Sequence, residues 1–408
     1  MASQLPEGES VPDDGSLPDA ARERLGRRPF GIYLHVPFCA TRCGYCDFNT
    51  YTATELGNDP GASRAGYIDA AISELRMARG ILGEPTGLDV ATVFIGGGTP
   101  TLLQADDLGR ALKAIDAEFG LAPDVEVTVE SNPESVDPSY LERLRTYGVN
   151  RISFGMQSAR PHVLRVLDRQ HTPGRPEQCV SEARAAGFEH VNLDVIYGTP
   201  GESDEDWRAT LNAAIDAGPD HISAYALIVE DGTRLAASIR RGEVDPTDDD
   251  VHADRYLIAD RMLSEAGFSW YEVSNWATDP SARCRHNELY WTDGDWWGIG
   301  PGAHSHVGGV RWWNRKHPAA YAARLAAGVS PAQGREVLSA VDQRVERVML
   351  QLRLSTGLDA EELDATGRKA ADRAVHEGLL SRSGGRIVPT LRGRLLVDGL
   401  VRRLLGWE

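Results

Sequence analysis

Three of the five cysteines of the chain lie within eight residues, and this cluster constrains the chain more than any other feature. Cys39, Cys43 and Cys46 have the spacing Cys-x3-Cys-x2-Cys and directly follow a short apolar run. Thiolates are soft ligands that suit zinc or iron–sulfur centres, and a cubane iron–sulfur cluster normally takes four of them. Three thiolates would leave one iron open to an exogenous ligand. The loop therefore indicates ligand exchange or chemistry at an open metal site.

A structural zinc site is the alternative that these residues leave open. His35 or a more distant side chain would then complete the ligand set of the three cysteines. Structural zinc sites usually have two paired ligand knuckles, whereas this stretch has one. The pattern favours an iron–sulfur cluster over zinc.

The composition is that of an ordinary globular protein, with 41% hydrophobic and 25% charged residues, and 408 residues suggest two or three structural units. The net charge of −17 argues against broad binding to nucleic acid, although a peripheral membrane contact through a local basic patch stays compatible with it. No apolar run reaches the roughly 20 residues of a membrane-spanning helix, and the polar amino-terminal stretch lacks a signal-peptide core. An odd number of cysteines, three of them clustered, predicts metal ligation in a reducing cytoplasm.

Short apolar runs alternate with helical periodicity between Phe30 and about residue 245, which predicts βα units and a parallel sheet. A complete (β/α)8 barrel has eight such units, and this stretch has six. We therefore expect an α/β fold built on an open partial (β/α)6 barrel, with the loops that follow the strands gathered at one end. The strands are expected at 31–36, 90–95, 125–130, 151–154, 191–196 and 221–227.

The pattern divides the chain into four parts. Residues 1–28 are rich in Pro, Gly, Ser and Asp and predict a flexible tail. Residues 29–245 form the partial barrel, and residues 246–335 an aromatic extension of it. Residues 336–408 predict an α+β, winged-helix-like unit with a turn at 383–385 and a final helix at 391–404. Its acidic and basic residues are interspersed, which favours a structural or partner-docking role over nucleic-acid binding.

Active sites of parallel α/β folds lie at the carboxyl ends of the strands, so polar and glycine residues at those ends are candidates. Gly96, Gly97 and Gly98, followed by Thr99, would let backbone amides approach a ligand closely, although a plain tight turn explains a glycine run equally well. Glu130 ends the third predicted strand. Its carboxylate either binds the ribose or the amine of a ligand, or it caps the next helix. The sequence leaves both interpretations open. The helix after the glycine run is expected to be capped by Asp106 or Asp107.

The cysteine spacing, with Tyr45 before the last cysteine, resembles the signature of the radical S-adenosylmethionine superfamily. The wider string YLHVPFC…C.YCDF resembles one branch, the oxygen-independent coproporphyrinogen III dehydrogenases and the heme chaperones that look like them. The resemblance implies a [4Fe–4S] cluster on the three cysteines, with S-adenosylmethionine on the open iron. It also implies a set of cofactor contacts, part of which serves a second cofactor molecule in the dehydrogenases: Tyr33, Tyr45, Gly97, Gly98, Thr99, Glu130, Gln157, Arg169, Asp194 and Ala226.

A downstream motif, HNxxYW, separates the two kinds of protein in this branch. An imidazole beside aromatic side chains suits an axial iron ligand, although chemistry alone favours a structural histidine. The string resembles the heme-binding motif of the chaperones, and Phe48 stands where the dehydrogenases usually have another cysteine. His304, in the string GIGPGAHS, is either a second ligand or a loop-packing residue. The implied heme contacts are His286, Asn287, Tyr290 and Trp291.

Together these resemblances imply a non-enzymatic heme chaperone that delivers heme to an acceptor hemoprotein. The alternative is a coproporphyrinogen III dehydrogenase, which uses reductively cleaved S-adenosylmethionine to decarboxylate two propionates oxidatively. No nucleic-acid partner is expected.

Overall fold

The computed structural model describes residues 8–57, 61, 63–83 and 88–407. A 12-stranded sheet forms the body of these residues, and a 3-stranded sheet belongs to a smaller carboxyl-terminal unit. The expected α/β fold with an open sheet is confirmed. Among the described residues, the two strands at the edges of the large sheet do not pair with each other, so the sheet does not close into a barrel.

Six parallel strands, paired in chain order, form the centre of the large sheet. Each contains the run predicted from the sequence, except that the last ends one residue earlier. Their side chains are buried on both faces, as expected for a parallel sheet covered by helices. The strands are β1 (Phe30–Val36), β2 (Val90–Gly97), β3 (Leu121–Ser131), β4 (Arg151–Gln157), β5 (His190–Tyr197) and β6 (His221–Ala226).

Helices connect the strands and bury one face against the sheet. In the longest of them, residues at helical spacing such as Ile68, Leu75 and Leu82 are buried, and Gly83 ends the helix with φ +72°. The helices as far as the sixth strand are α1 (Asp19–Arg22), α2 (Ala53–Leu56), α3 (Arg64–Leu82), α4 (Ala105–Phe119), α5 (Pro138–Thr146), α6 (Pro161–Val166), α7 (Arg175–Ala185) and α8 (Asp204–Asp216).

The predicted cap of α4 is wrong. The helix is preceded by Gln104, whose side chain makes no capping hydrogen bond, and Asp106 and Asp107 lie inside its first turn. Carboxylates in a first turn stabilise a helix through its dipole without capping it. The acidic residues in the sequence therefore did not predict the first residue of this helix correctly.

The extension adds strands to both ends of the parallel sheet. One of them pairs parallel with β1, opposite its Phe30–Leu34 stretch, so the sheet contains seven parallel strands. The others pair antiparallel at the two edges. They are β7 (Ser269–Glu272), β8 (Asn275–Ala277), β9 (Asp295–Ile299), β10 (His304–Val307), β11 (Val310–Asn314) and β12 (Ala332–Val337).

Helix α9 (Arg234–Arg240) follows β6, and the helices of the extension are α10 (Asp249–Glu265), α11 (Arg285–Trp291) and α12 (Pro318–Ala326). Because β9 lies beside β1, α11, which precedes β9, packs on β2, and its Tyr290 lines the same cavity as Phe48, two residues after Cys46.

The described part of the predicted tail differs from the expectation. Glu9 and Arg335 exchange two backbone hydrogen bonds of 2.9 and 3.0 Å, and their side chains form an ion pair of 2.7 Å. Arg24 donates to the side chain of Gln343 at 2.7 Å. Edge strand β12 offers unpaired backbone groups, which the segment satisfies. Glu9 therefore pairs with the sheet edge and Arg24 contacts Gln343 beyond it, and the prediction for residues 1–7 falls outside the described residues.

The carboxyl-terminal unit has its own core and the expected α+β composition, with α13 (Ala340–Gln351), α14 (Ala365–His376), β13 (Leu358–Asp359), β14 (Leu380–Ser383) and β15 (Arg386–Pro389). The predicted turn at 383–385 joins β14 to β15. The predicted single final helix is wrong, since α15 (Leu391–Leu395) and α16 (Val397–Leu405) are separated at Leu396. A Cβ on Gly393 would lie 1.9 Å from the Leu379 carbonyl oxygen, so α15 is held close to β14, and α16 turns to bury its own apolar face.

None of the described helices is both long enough and apolar enough to span a membrane. The division of the chain at residues 28, 245 and 335 remains a prediction.

Candidate functional site

The cysteine loop follows β1 and is held by backbone hydrogen bonds on two sides. The amide of Cys39 donates to the Tyr51 carbonyl at 3.0 Å, and the amide of Thr99 donates to the Phe38 carbonyl at 2.7 Å. The loop therefore lies between the end of β2 and the segment that leads to α2. All three cysteines of the motif line one cavity of about 260 Å³ at the carboxyl ends of the strands.

Arg169 fixes the electrostatic surroundings of this loop. One guanidinium nitrogen lies 3.7 Å from the Cys43 sulfur, and the other donates to the Gly155 carbonyl at 2.7 Å. A second anchor is the amide of Gly44, which donates to the Leu167 carbonyl at 3.0 Å. The positive charge is thus held beside a sulfur atom at the wall of the cavity.

Burial raises the pKa of the Cys39 thiol and raises that of Cys46 to about 11, and charge repulsion between the neighbouring thiols acts in the same direction. Buried thiols of this kind ionise when a cationic metal centre binds them. Each cysteine of a cubane cluster binds a different iron, so the sulfurs do not need to converge on one point. Among the described residues no three His, Cys, Asp or Glu side chains converge on a single ion. Three thiols around a shared cavity fit a cluster.

The glycine run at the end of β2 packs directly against the cysteine loop. A Cβ on Gly98 would lie 2.5 Å from the Phe38 carbonyl oxygen and 3.1 Å from the Cys39 sulfur. Gly97 has φ +108°, and a Cβ there would lie 2.6 Å from the His35 ring. Only glycine fits at these two positions, so the run is more than an ordinary turn. It brings the backbone to the wall of the cavity, where the amides of Gly97 and Gly98 donate to the Glu130 carboxylate and the Val36 carbonyl.

Glu130, at the end of β3, does not cap a helix. One of its carboxylate oxygens accepts the Gly97 amide at 3.0 Å, while Asn132 caps the following turn. Burial, followed by repulsion from the Asp194 carboxylate, raises the pKa of Glu130 to about 8. The reading as a ligand-facing carboxylate fits this geometry, because the group lines the cavity and carries no ion-pair partner among the described residues.

The ends of β4 and β5 form the opposite wall. Gln157 has φ +65°, which is uncommon for a residue other than glycine, and the pairing of β4 with β5 shifts between Gly155 and Gln157. Asp194 accepts hydrogen bonds of 2.8 Å from both Ser153 and Asn192, and burial raises its pKa. Strained backbone of this kind is concentrated at functional sites, where it aims side chains.

The structure brings together most of the cofactor contacts implied by the resemblance. Those that line the cavity of the cysteines are Tyr45, Gly97, Gly98, Thr99, Glu130, Gln157, Arg169 and Asp194. Tyr33 lines two neighbouring cavities instead. Ala226 lines a separate cavity of about 490 Å³ beside Tyr197 and His252.

Sequence reasoning missed Ser153 as a lining residue. Ser153 precedes Gly155 and Gln157 by two and four positions on β4, and side chains on a strand alternate with period two. That period was the available signal.

The HNxxYW motif forms helix α11, and its histidine is completely buried. His286 Nδ1 lies 2.8 Å from the Thr92 hydroxyl oxygen, and Nε2 lies 2.8 Å from that of Tyr290. Burial lowers the pKa of His286 to about 3, so its imidazole is neutral. The backbone amides of Arg285 and His286 donate to the Glu126 carboxylate at 2.9 and 3.0 Å. The motif is thus anchored on the face of the sheet that carries Thr92 and Phe94, where His286 lines an inner cavity of about 180 Å³.

The other two motif residues share a buried carboxylate. Side-chain hydrogen bonds from Asn287 and Trp291 lower the pKa of Glu272, but the stronger effect of burial raises it to about 7. Both side chains are therefore used in holding α11 in place.

Tyr290 connects the motif to open space. It lines a cavity of about 350 Å³ together with Phe94, Trp296 and His304. Phe48, Gly97 and Glu130 line both this cavity and that of the cysteines. The two cavities are therefore adjacent, and we call the one that contains Tyr290 and His304 the aromatic cavity.

Comparison with known proteins agrees with this arrangement. A family model described as the radical SAM superfamily matches residues 33–214, and one described as the HemN C-terminal domain matches residues 338–396. The chain is 52% identical over 379 residues to a protein of Mycobacterium tuberculosis H37Rv named heme chaperone HemW, covering 93% of this chain and 95% of that one. It is 32% identical over 395 residues to the heme chaperone HemW of Escherichia coli K12, covering 92% and 98%.

Among solved structures, coproporphyrinogen III oxidase (HemN) of Escherichia coli superimposes with a TM-score of 0.81 at 23% identity, covering 98% of this chain and 95% of that one. At this level of identity the similarity establishes the fold.

Proposed function

Because the chain belongs to the HemW family of the radical SAM superfamily, we propose that it binds heme and transfers it to an acceptor hemoprotein. In the same proposal it carries a [4Fe–4S] cluster on Cys39, Cys43 and Cys46, with S-adenosylmethionine on the open iron. The protein acts as a chaperone in the cytoplasm and not as an enzyme on a porphyrin substrate.

One observation supports heme handling most directly. The intact HNxxYW helix lies behind an aromatic cavity that shares Glu130 and Phe48 with the cavity of the cysteines. A flat apolar ligand with polar edges suits a concave site with aromatic walls and a few polar groups. The adjacency would place a bound heme next to the cluster and its ligand.

The residues present fit the implied cofactors. The Glu130 carboxylate lines the cavity and would bind the amine group of S-adenosylmethionine, while Arg169 would keep its positive charge beside Cys43. When bound to a reduced cluster, S-adenosylmethionine supplies radical chemistry. Gln157 and Asp194 form the far wall, where they can orient the rest of the molecule.

An anaerobic hemin titration of the cluster-reconstituted protein tests the proposal, followed by mixing of the heme-loaded protein with an apo-hemoprotein such as apomyoglobin. We expect saturable binding of one heme per chain and transfer of that heme to the acceptor. His376, an exposed histidine of the carboxyl-terminal unit, provides a matched control, and His376→Ala should bind heme as the wild type does.

A failure of the wild-type protein to bind hemin would overturn the proposal. Formation of protoporphyrinogen from coproporphyrinogen III under anaerobic, reducing conditions would instead favour the dehydrogenase, the second function that the sequence left open.

A further inference from the structure

The histidine of the HNxxYW motif is poorly placed to ligate a heme iron. His286 is 0% exposed, and both of its ring nitrogens have hydroxyl partners at 2.8 Å, Thr92 on one side and Tyr290 on the other. Ligation through either nitrogen would remove one of these buried hydrogen bonds and leave a hydroxyl group without its partner. Such a loss costs about 1–3 kcal/mol. His286 lines an inner cavity of about 180 Å³, which has about half the volume of the aromatic cavity and leaves much less room for a heme.

His304 has the properties that His286 lacks. It begins β10, is exposed and lines the aromatic cavity. Neither of its ring nitrogens has a hydrogen-bond partner among the described residues. Neutral imidazole with a free nitrogen is the common protein ligand of heme iron. Burial at the cavity wall and the nearby charges of Lys316 and Arg311 lower the pKa of His304 and so favour the neutral form.

Contacts with the HNxxYW helix fix the position of the His304 backbone. Its carbonyl oxygen accepts the Trp296 indole N–H at 3.0 Å. The Trp296 ring meets the Tyr290 ring edge to face, with 4.6 Å between centroids, and the Tyr290 hydroxyl is paired with His286. The chain of contacts from His286 through Tyr290 and Trp296 thus determines the shape of the wall beside His304. In this arrangement the motif positions the cavity and His304 provides the accessible nitrogen.

The aromatic cavity has the chemistry of a porphyrin site. Phe94, Tyr290 and Trp296 supply apolar walls, and Lys316 supplies a positive charge suited to a propionate. Phe48, at the edge shared with the cavity of the cysteines, is a large apolar side chain that is 60% exposed. A heme face would cover it.

We propose that heme binds in the aromatic cavity with His304 as an axial ligand of its iron, while His286 acts as a positioning residue through Tyr290. This inference depends on the proposed function, because it assumes that heme is the ligand. In this proposal Tyr290 is the residue of the motif that contacts heme, and the ligand of the iron lies on β10 and not on α11. The Glu130 and Gly97 wall would then separate heme from the cluster and its ligand.

The test compares hemin binding by full-length, cluster-reconstituted wild type, His304→Ala, His286→Ala and His252→Ala. The last variant is the matched control, because His252 is also a histidine that lines a large cavity, the one beside Ala226. The Soret position and the ferric EPR spectrum report imidazole ligation, and added free imidazole serves as a rescue ligand.

We expect His304→Ala to lose the imidazole-ligated spectrum and to bind hemin at least ~10-fold more weakly, about 1.4 kcal/mol. Free imidazole should restore its spectrum. His286→Ala should keep the imidazole-ligated spectrum, and His252→Ala should match the wild type.

A His304→Ala spectrum identical to that of the wild type would overturn the assignment, as would loss of ligation in His286→Ala or His252→Ala alone. In each of these cases heme binding by the wild type would still stand. Absence of hemin binding by the wild type would overturn the proposed function itself, so the two failures are distinguishable. Thermal unfolding of each variant confirms that it is folded, which is expected for His304 because its side chain is exposed.

Discussion

His286 Nε2 lies 2.8 Å from the hydroxyl oxygen of Tyr290, four residues later on the same helix. The spacing of four residues brings the two side chains to one face of α11, and the edge-to-face ring contact of 5.0 Å fits that arrangement. Tyr290 reaches the aromatic cavity while His286 stays behind it. The first and fifth positions of the motif therefore have different environments.

Removal of the Tyr290 hydroxyl should destabilise the protein. In Tyr290→Phe, the buried Nε2 of His286 loses its partner, so the free energy of unfolding should fall by about 1–3 kcal/mol. Urea unfolding measures the change. Tyr51→Phe is the control, since the Tyr51 hydroxyl bonds the Asn49 side chain at a longer 3.2 Å and the residue is only half-buried. Equal stability of Tyr290→Phe and wild type would contradict the structural role of the pair.

The three cysteines of the loop should be distinguishable from a buried cysteine by their iron content. Cys39→Ala, Cys43→Ala and Cys46→Ala should each lose most of the iron and sulfide after anaerobic reconstitution, because a three-thiolate site has no spare ligand. Cys179→Ala should keep them, since its thiol donates to the Pro133 carbonyl at 3.5 Å in the core and lines no part of the cavity. Iron and sulfide analysis with visible absorption decides the matter. Full iron content in the triple variant would refute the ligand assignment.

A single methyl group on the glycine run should damage the cofactor site. In Gly98→Ala the new Cβ would lie 2.5 Å from the Phe38 carbonyl oxygen, so the glycine run and the cysteine loop must separate. We expect S-adenosylmethionine affinity, measured by isothermal titration calorimetry under anaerobic conditions, to fall by at least ~10-fold, about 1.4 kcal/mol.

Gly80→Ala provides the control for that experiment. Gly80 lies in α3, and no neighbouring atom comes within 4 Å of the point that an alanine methyl would occupy, so alanine should leave binding unchanged. It should also stabilise the helix by about 0.5–1 kcal/mol. Unchanged affinity in Gly98→Ala would show that the close packing of the two loops is not needed.

Stability should depend on pH through Glu74. This carboxylate is buried and accepts hydrogen bonds from the Gly300 amide at 2.8 Å and Asn314 at 2.7 Å, and burial raises its pKa from 4.5 to about 7. Between these two values the unfolded chain has lost the proton that the folded chain keeps. The unfolding free energy should therefore fall as pH rises from about 4.5 to 7, by about 3 kcal/mol in total.

Glu74→Gln cannot titrate, so the difference in unfolding free energy between wild type and variant isolates this effect from other buried carboxyl groups. Urea unfolding at several pH values across the window measures it. A difference that is constant with pH would mean that Glu74 does not carry a raised pKa in the folded protein.

Much of the barrel could be predicted because its signals are local. The strands β1, β2 and β4 are apolar runs that end in turn residues, and all three contain their predicted ranges. Element ends were less certain, since the start of α4 and the break at Leu396 depend on which neighbours the helices pack against. The docking of the segment around Glu9 on β12 could not be predicted from the sequence either. A polar segment of this kind becomes ordered only through contacts with residues that are far away along the chain.

The sequence by itself determined the cysteine loop, the glycine run and the HNxxYW motif, because each depends on residue types at fixed short spacing. Only the tertiary structure decided what these motifs share. Pairing of β9 with β1, more than 250 residues apart along the chain, places α11 and His304 beside the cysteine loop. Burial is likewise a property of the folded chain, and it distinguishes two histidines that the sequence alone could not tell apart. His286 lies fully enclosed with both nitrogens bonded, whereas His304 faces a cavity with both nitrogens free among the described residues.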